Sequence, residues 1–455
     1  MNSIIAFLAN KTGAARHTVY WPYLVVILGF LLCFIRFPGE WNWDTYHQQA
    51  QALSGLYRDW HPPAFSAFWR LVNRITGMQG AGSGTLYIAH ALMLWGGLAL
   101  LARSGREFFC SFTRGTRWRF YLFLAILLSF GIFEMMTISR FVMKDTAMTS
   151  SYVFAVGILC NFPQRTIFKI PAGMFCMLLL FYGTAVRYNA IFAVMPLLLL
   201  LITKYRPQLK YKWLIPISML LWVVLLLSIH AFNNVFLKAE KEHPLQEIFY
   251  GDIWRLNYDT HTFDVPPPVK GIGWEPLTED IFFRFYNREE VYIRPAFKYI
   301  NAYYQDSPIA FVRDFSGAED DFILLFKVWI SKIKKHPLKY AAIHRKIFTD
   351  MLFRYYFMGI PGAWYLVFGL ATVGILIVQL VKKHRINNLT PYCVTISGLL
   401  YVLPYMIFIP DVQRRYLFWF FFASLFGVVW FAWSMYTRHV GKHFSEGHCC
   451  PAKGQ

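Results

Sequence analysis

Long apolar segments recur along most of this 455-residue chain, and no other feature constrains its fold as strongly. A helix needs roughly 17 to 25 mostly apolar residues to cross the ~30 Å hydrocarbon core of a bilayer. About ten segments approach that length, in a chain of 56% hydrophobic and only 15% charged residues. They lie near residues 20–37, 85–102, 119–137, 146–162, 170–186, 189–203, 213–231, 361–381, 391–410 and 416–435. The sequence therefore predicts an all-α integral membrane protein with about ten transmembrane helices.

The charges of the short loops predict how these helices are oriented. With the N-terminus in the cytoplasm, the loops on the inner side are rich in Lys and Arg and nearly free of acid, as the positive-inside rule requires. The basic stretch at 332–346 departs from the rule, because it would lie outside, close to a predicted span. We therefore expect a multi-pass protein with both termini in the cytoplasm.

Two parts of the predicted outer side have helical patterns without the length to span. In the first external loop, apolar stripes at 46–57 and 65–75 predict two juxtamembrane helices, the second beginning after the HPP at 61–63. The polar segment 232–360 predicts a small, mostly helical extracytoplasmic domain. The predicted parts of the chain are thus an N-terminal transmembrane module (1–231), this domain (232–360), C-terminal transmembrane helices (361–436) and a cytoplasmic tail (437–455).

Ionisable residues gather in the short external loops, where simple linkers would not need them. Charged groups at the ends of spans are candidates for function, because they are costly to place near lipid. The alternative is that each side chain reaches into water and only anchors its helix. The stretches are WNWD at 41–44, RDWHPP at 58–63, SRFVMKD at 139–145, RYN at 187–189 and DVQRRY at 411–416. Five separate segments would thus bring acids and bases to one membrane face.

The chemistry of these loops fits phosphate better than nucleic acid, although the formal net charge is +20. No basic block with interleaved aromatic residues stands in a soluble domain, so we expect anionic membrane lipids and phosphate as partners and no nucleic acid. Arg binds phosphate through two hydrogen bonds, Lys adds a point charge, and a carboxylate can act as general base toward a hydroxyl. The absence of a Walker loop and of GxGxxG argues against an ATP-driven pump. Together the residues predict sugar transfer from a lipid phosphate.

With these features the chain resembles the GT-C superfamily of polytopic glycosyltransferases that use polyprenyl-phosphate sugars. That superfamily includes protein O-mannosyltransferases, aminoarabinose transferases of lipid A, and bacterial O-antigen and cell-wall glycan modifiers. The resemblance rests on Asp44 in WNWD, on HPP at 61–63, MKD at 143–145 and RYN at 187–189, and on HPLKY at 336–340. Each motif is short and weakly specific, so the layout of the whole chain carries more of the resemblance than any one motif.

The resemblance implies roles for particular residues. Asp44 would be the catalytic base, although a helix N-cap is its simpler role, and Asp145 would be a second catalytic acid. The donor phosphate would be held by Arg140, Lys144, Arg187, Arg414 and Arg415. The pocket and the acceptor would be contacted by His61, Tyr188, Asn189 and Trp43. A divalent metal, Mg²⁺ or Mn²⁺, is left open, because WNWD has a single Asp where some relatives carry two adjacent acids.

The expected function is that of an inverting glycosyltransferase on the extracytoplasmic side of a bacterial inner membrane. It would move a sugar from a polyprenyl-phosphate donor to a glycan, lipid or protein acceptor, as in the synthesis of O-antigen, lipopolysaccharide or cell-wall glycans. One alternative is a transporter or flippase for a lipid-linked sugar. Another is an O-antigen polymerase or ligase, which would use diphosphate-linked donors.

Overall fold

The protein is mostly helical in the computed structural model, which describes residues 14–77, 83–110, 134–262, 319–382, 388–408 and 412–445. In these ranges the helices are α1 (Ala14–Cys33), α2 (Trp43–Ser54), α3 (Ala64–Thr76), α4 (Gly84–Cys110), α5 (Lys144–Cys160), α6 (Thr166–Ala185), α7 (Ala190–Tyr205), α8 (Tyr211–Ala231), α9 (Gln246–Thr260), α10 (Glu319–Lys335), α11 (Pro337–Arg354), α12 (Gly362–Val381), α13 (Thr390–Val402) and α14 (Phe418–Ser445). An antiparallel hairpin, β1 (Tyr356–Phe357) and β2 (Ile360–Pro361), connects α11 to α12. The prediction of an all-α protein is confirmed in this coarse form.

Four helices of the described ranges are long and apolar enough to cross a membrane. They are Gly84–Ser104, Thr166–Ala185, Lys212–Phe236 and Gly362–Val381, and they coincide with the spans predicted at 85–102, 170–186, 213–231 and 361–381. Other predicted spans form helices that are shorter, such as α5 with 17 residues and α7 with 16. Most of the predicted span 119–137 lies outside the described residues. The structure thus supports a membrane protein with four candidate spans, while the count of ten stays a prediction.

The two helices predicted in the first external loop are present as α2 and α3. Asn42 caps α2, because its side-chain oxygen accepts a hydrogen bond from the Thr45 backbone N–H at 2.9 Å, while the Thr45 hydroxyl accepts one from the Asn42 N–H at 3.3 Å. The helix ends at Gly55, whose φ of 77° is a left-handed conformation that glycine adopts readily. Pro63 immediately precedes α3, as the HPP motif predicts.

Helix α4 packs closely against α5, the helix whose first turn carries two of the predicted site residues. A Cβ atom added to Gly97 would lie 2.7 Å from backbone atoms of Phe154, and one added to Gly157 would lie 2.8 Å from the Gly97 carbonyl oxygen. The two backbones can approach this closely because neither position has a side chain, as is common where membrane helices pack. This close contact lies in the second half of α5, and Lys144 and Asp145 lie in the first turn of the same helix.

A buried polar cluster joins α9, α10 and α11, which belong to the predicted outer domain. The Asp252 carboxylate accepts hydrogen bonds from Arg255 at 3.1 Å and from the Trp329 indole at 3.0 Å. His344 Nε2 lies 2.9 Å from the same carboxylate. Asp252 and Arg255 are completely buried, so the cluster links the three helices through charged groups that water does not reach.

Candidate functional site

Asp44 occupies the first turn of α2 and is 8% exposed. Asn42 provides the cap of this helix, so the Asp44 carboxylate is not used as an N-cap and contacts other segments instead. Its Oδ2 atom lies 2.7 Å from Arg415 Nη1 and 3.5 Å from Lys144 Nζ. Its Oδ1 atom lies 3.5 Å from His61 Nε2. One carboxylate thus contacts three basic side chains from three separate parts of the chain.

His61 connects Asp44 to Lys144. Its Nδ1 atom lies 2.7 Å from Lys144 Nζ. A protonated lysine can only donate hydrogen bonds, so Nδ1 accepts when Lys144 is charged, which leaves a neutral imidazole with its proton on Nε2, toward Asp44. His61 therefore lies between the two groups, within hydrogen-bonding distance of Lys144 and 3.5 Å from the Asp44 carboxylate.

Asp145 lies beneath this group and is fully buried. Its Oδ1 atom is 3.2 Å from Arg187 Nε, and its Oδ2 atom is 3.9 Å from Arg415 Nε. Arg415 consequently contacts both carboxylates, because its Nη1 atom also reaches Asp44. Position in the first turn of α5 also favours a negative charge on Asp145, because the N-terminal end of a helix is positive. This arrangement makes Asp145 a group that holds the two arginines in place.

Two tyrosines complete the environment of Arg187. The Arg187 guanidinium donates a hydrogen bond to the Tyr405 hydroxyl at 3.0 Å. It also lies over the Tyr416 ring, 4.8 Å from the ring centroid, and Arg415 lies 5.5 Å from the same centroid. These contacts place two planar cations beside each other in spite of their repulsion.

The charges of the cluster have opposite effects on Asp44 and Lys144. Burial would raise the pKa of the Asp44 carboxyl, but His61, Lys144 and Arg415 outweigh burial and hold this pKa well below its usual range. Burial lowers the pKa of the Lys144 ammonium to about 8, because the nearby arginines add to burial and the attraction of Asp44 does not offset both. Asp44 is therefore a carboxylate at neutral pH, while Lys144 titrates close to that range.

A cavity of about 720 Å³ opens onto the cluster. One wall is charged and contains Asp44, His61, Lys144, Arg187 and Arg415, and the lining also includes the acidic residues Asp59 and Glu247. Another wall is mainly apolar and comes from three different parts of the chain, as Ile191 and Phe192, Leu245 and Ile248, and Phe408. The cavity can hold a molecule that has both an anionic and an apolar part.

The structure brings together only some of the residues that the sequence singled out. Tyr188 and Asn189 line the cavity, where the Tyr188 hydroxyl donates to the Asp59 carbonyl oxygen and the Asn189 side chain donates to the Tyr401 carbonyl oxygen at 3.4 Å. Trp43 begins α2, and its side chain lies outside what the structure describes. Asp145 contacts Arg187 and Arg415 of the cluster but is not among the residues that line the cavity.

Arg140 and Arg414 lie apart from the cluster. Arg140 forms an ion pair with Glu40, and Arg414 forms one with Glu134. Arg414 also donates to the Tyr356 carbonyl oxygen at 2.8 Å. Neither arginine is among the residues lining the cavity, so their contact with a donor phosphate stays a prediction from sequence and is not part of the site defined here.

Two contributions to the site were not predicted from sequence. Tyr405 lies in an apolar run that was assigned to a membrane span, so its contact with Arg187 had no sequence signal. Residues 243–248 also line the cavity, with His243, Pro244, Leu245 and Glu247 among them. The sequence predicts only that the segment 232–360 forms an outer domain, and nothing in its pattern selects these residues.

The donor atoms of the cluster do not suit a divalent metal. In the described ranges, no group of three or more His, Cys, Asp or Glu side chains is placed to hold a metal ion. Asp44 and Asp145 each face arginine already, and a divalent cation between them would be repelled by these neighbours. The residues present therefore do not fit Mg²⁺ or Mn²⁺, and the chemistry we propose does not use a metal.

A comparison of the chain with protein-family models, with curated proteins and with solved structures found no match. The fold and the cluster define a helical membrane protein with a buried, charged cavity.

Proposed function

We propose that this protein is an inverting glycosyltransferase that takes a sugar from a polyprenyl-phosphate donor. The observation that carries the proposal is the contact of Asp44 with Arg415 and Lys144 at the wall of a cavity that also has an apolar side. Transfer of a sugar to a hydroxyl requires a general base, which a carboxylate can supply. It also requires cations that stabilise the departing phosphate. The proposal includes assignment to the GT-C type, with about ten spans.

The cations of the cluster suit a lipid phosphate. Lys144, Arg187 and Arg415 belong to the cluster, in which Asp44 and the fully buried Asp145 balance them, while Asp59 and Glu247 line the cavity outside the cluster. With these five groups of the cluster ionised, one positive charge is left over, and two of the cations are arginines that can bind phosphate through two hydrogen bonds each. The apolar wall formed by Ile191, Phe192 and Phe408 would accommodate the start of the polyprenyl chain.

Donor binding would also activate Asp44. His61 and the two cations Lys144 and Arg415 keep the pKa of Asp44 low in spite of its burial, which makes the carboxylate a weak base. A phosphate competes for the same two cations, so its arrival weakens their hold on Asp44 and raises the pKa of the carboxyl. The base would therefore gain strength only when the donor is in place.

The transfer step follows from these positions. The acceptor hydroxyl loses its proton to Asp44 as its oxygen forms a bond to the anomeric carbon from the face opposite the phosphate. The bond between that carbon and the phosphate oxygen breaks, and the electron pair leaves with the lipid phosphate. Lys144, Arg187 and Arg415 stabilise the charge that develops there. Attack from the opposite face inverts the anomeric centre.

The cellular setting is part of the proposal. The orientation expected from the loop charges puts the cavity on the extracytoplasmic side of a bacterial inner membrane, with both termini in the cytoplasm. The acceptor would be a glycan, lipid or protein of the cell envelope.

A transfer assay in membranes tests the proposal against its two alternatives. Membranes with and without the protein are given polyprenyl-monophosphate or polyprenyl-diphosphate donors carrying a labelled sugar. We expect protein-dependent transfer of label to an envelope fraction from the monophosphate donor only. Transfer from the diphosphate donor alone would identify a polymerase or ligase. Movement of intact donor across the membrane without release of its sugar would identify a flippase. An Asp320→Asn variant, altered at an exposed position of α10, is the control for carboxylate loss.

A further inference from the structure

A second, larger groove lies between α6, α7 and α8, away from the charged cluster. Its volume is about 1650 Å³. Two of the helices that form it, α6 and α8, are among the candidate membrane spans, and α7 is a shorter apolar helix. Large apolar side chains of the groove remain exposed, including Met174 at 68% and Leu178 at 60%. The groove is therefore open to the hydrocarbon part of a membrane.

One end of this groove is cationic. Lys169 on α6 and Arg206, which follows α7, are among the residues that line it. Further basic residues stand in the same turn, at Lys204, Lys210 and Lys212. No Asp or Glu occurs in the sequence from residue 146 to residue 239, so the segments that form the groove supply no carboxylate to neutralise these cations. A negatively charged group from outside these segments would therefore be attracted to the cationic end of the groove.

The basic end lies far from the candidate active site. Lys169 precedes Ala185, the last residue of α6, by 16 residues, which corresponds to roughly 24 Å along a helix. Arg187, at the cavity, follows just after that helix end. The groove and the cavity therefore have their charged groups at opposite ends of α6. An anion bound at the groove would lie at the other membrane face.

The length of the groove matches one leaflet of a bilayer. Its lining on α8 extends from Ile217 to Ser228, which is roughly 17 Å along a helix. Half of a ~30 Å hydrocarbon core is about 15 Å. Acyl chains that begin at the basic turn would thus reach the middle of the membrane along the groove. Basic pockets between membrane helices are suited to anionic lipid head groups.

We propose that this groove is a binding site for an anionic phospholipid of the leaflet opposite to the candidate active site. Lys169 and Arg206 bind the phosphate head group, and the apolar sides of α6 and α8 hold the acyl chains. The site is independent of the proposed transferase activity.

Native mass spectrometry of the full-length protein in detergent tests this site. Phosphatidylglycerol and phosphatidylcholine with identical acyl chains are added separately, and retention of one lipid per protein is measured. We expect the wild type to retain phosphatidylglycerol preferentially. Each basic group near a membrane surface contributes enough affinity that Lys169→Ala/Arg206→Ala should weaken this retention ~30-fold.

Matched variants separate the groove from general surface charge. Lys210→Ala/Lys212→Ala removes the same charge from the same turn without altering the groove lining, so it should retain phosphatidylglycerol like the wild type. Leu178→Trp adds bulk at an exposed wall position and should reduce retention while both cations are kept. Equal retention of the two lipids by the wild type would overturn the proposal. Equal loss in the two double variants, or no effect of Leu178→Trp, would also overturn it.

Discussion

Replacement of Asp44 by Asn removes the proposed base and keeps the size of the side chain. In the structure this carboxylate lies 2.7 Å from Arg415 and 3.5 Å from Lys144. The change therefore has two consequences that act on different kinetic constants. The base is lost, and the two cations are released from a competitor of the donor phosphate.

The expected magnitude follows from these contacts. Loss of a positioned general base should lower kcat by about 10² to 10⁴-fold, equivalent to roughly 3 to 5 kcal/mol. The KM for the donor should stay the same or fall, because no carboxylate would then compete with the donor phosphate for Arg415 and Lys144. A large loss of kcat with no rise in KM marks an interaction made in the transition state.

The assay is a titration of labelled polyprenyl-phosphate sugar with wild-type, Asp44→Asn and Asp320→Asn proteins at equal amounts of folded protein. Asp320 is exposed and lies far along the chain from the cluster, so its variant should match the wild type. A rise in donor KM with kcat unchanged in Asp44→Asn would refute the role as base. Asp44 would then be only a support for Arg415 and Lys144.

The remaining predictions concern the cations and the outer helices. Arg415→Ala should raise the donor KM at least tenfold, whereas Arg414→Ala should leave it within about twofold and lower thermal stability instead, since Arg414 pairs with Glu134; the reverse pattern in donor titrations would show that the wrong arginine was chosen. Because the pKa of Lys144 is lowered to about 8 in the folded protein, its ammonium is lost as pH rises through that value, so donor kcat/KM should fall above about pH 8, and Lys144→Arg should abolish this fall; an unchanged profile in that variant would contradict the assignment. The same depressed pKa means that the unfolded chain binds more protons between about pH 8 and 10.5, so this residue adds stability as pH rises through that window. Asp252→Asn should lower the free energy of unfolding by about 3 kcal/mol, because Arg255 and His344 lose a buried partner; thermal unfolding no different from that of Asp320→Asn would show that the cluster contributes little.

The meeting of the external loops could be predicted from sequence, because the positions of the apolar segments and the charges of the loops between them predict which loops share a membrane face. Asp44, Lys144, Arg187 and Arg415 were all singled out by this reasoning, and the structure places them within one cluster. The same is true of the two short helices in the first loop. Their apolar stripes and the HPP motif are local signals, which do not depend on the rest of the fold.

The choice between neighbouring arginines could not be predicted. Arg414 and Arg415 are adjacent in a short 3₁₀ turn, Arg414–Leu417, and point to different partners. Which one faces Asp44 depends on the position of Glu134, far away in the chain. Tyr405 was missed for a similar reason, because a polar group within an apolar run has no distinguishing pattern. Hydropathy also did not predict the length of each apolar helix, since α5 has 17 residues and α13 has 13.

Binding of a polyprenyl phosphate to the purified protein tests the central claim most directly, because it requires no knowledge of the sugar or the acceptor. The affinity for polyprenyl monophosphate is compared with that for the uncharged polyprenol, in the wild type and in Arg187→Ala/Arg415→Ala. Charged hydrogen bonds from two arginines should favour the phosphate by on the order of 10²-fold in the wild type and by far less in the variant. Equal affinity of the wild type for both lipids would contradict the account.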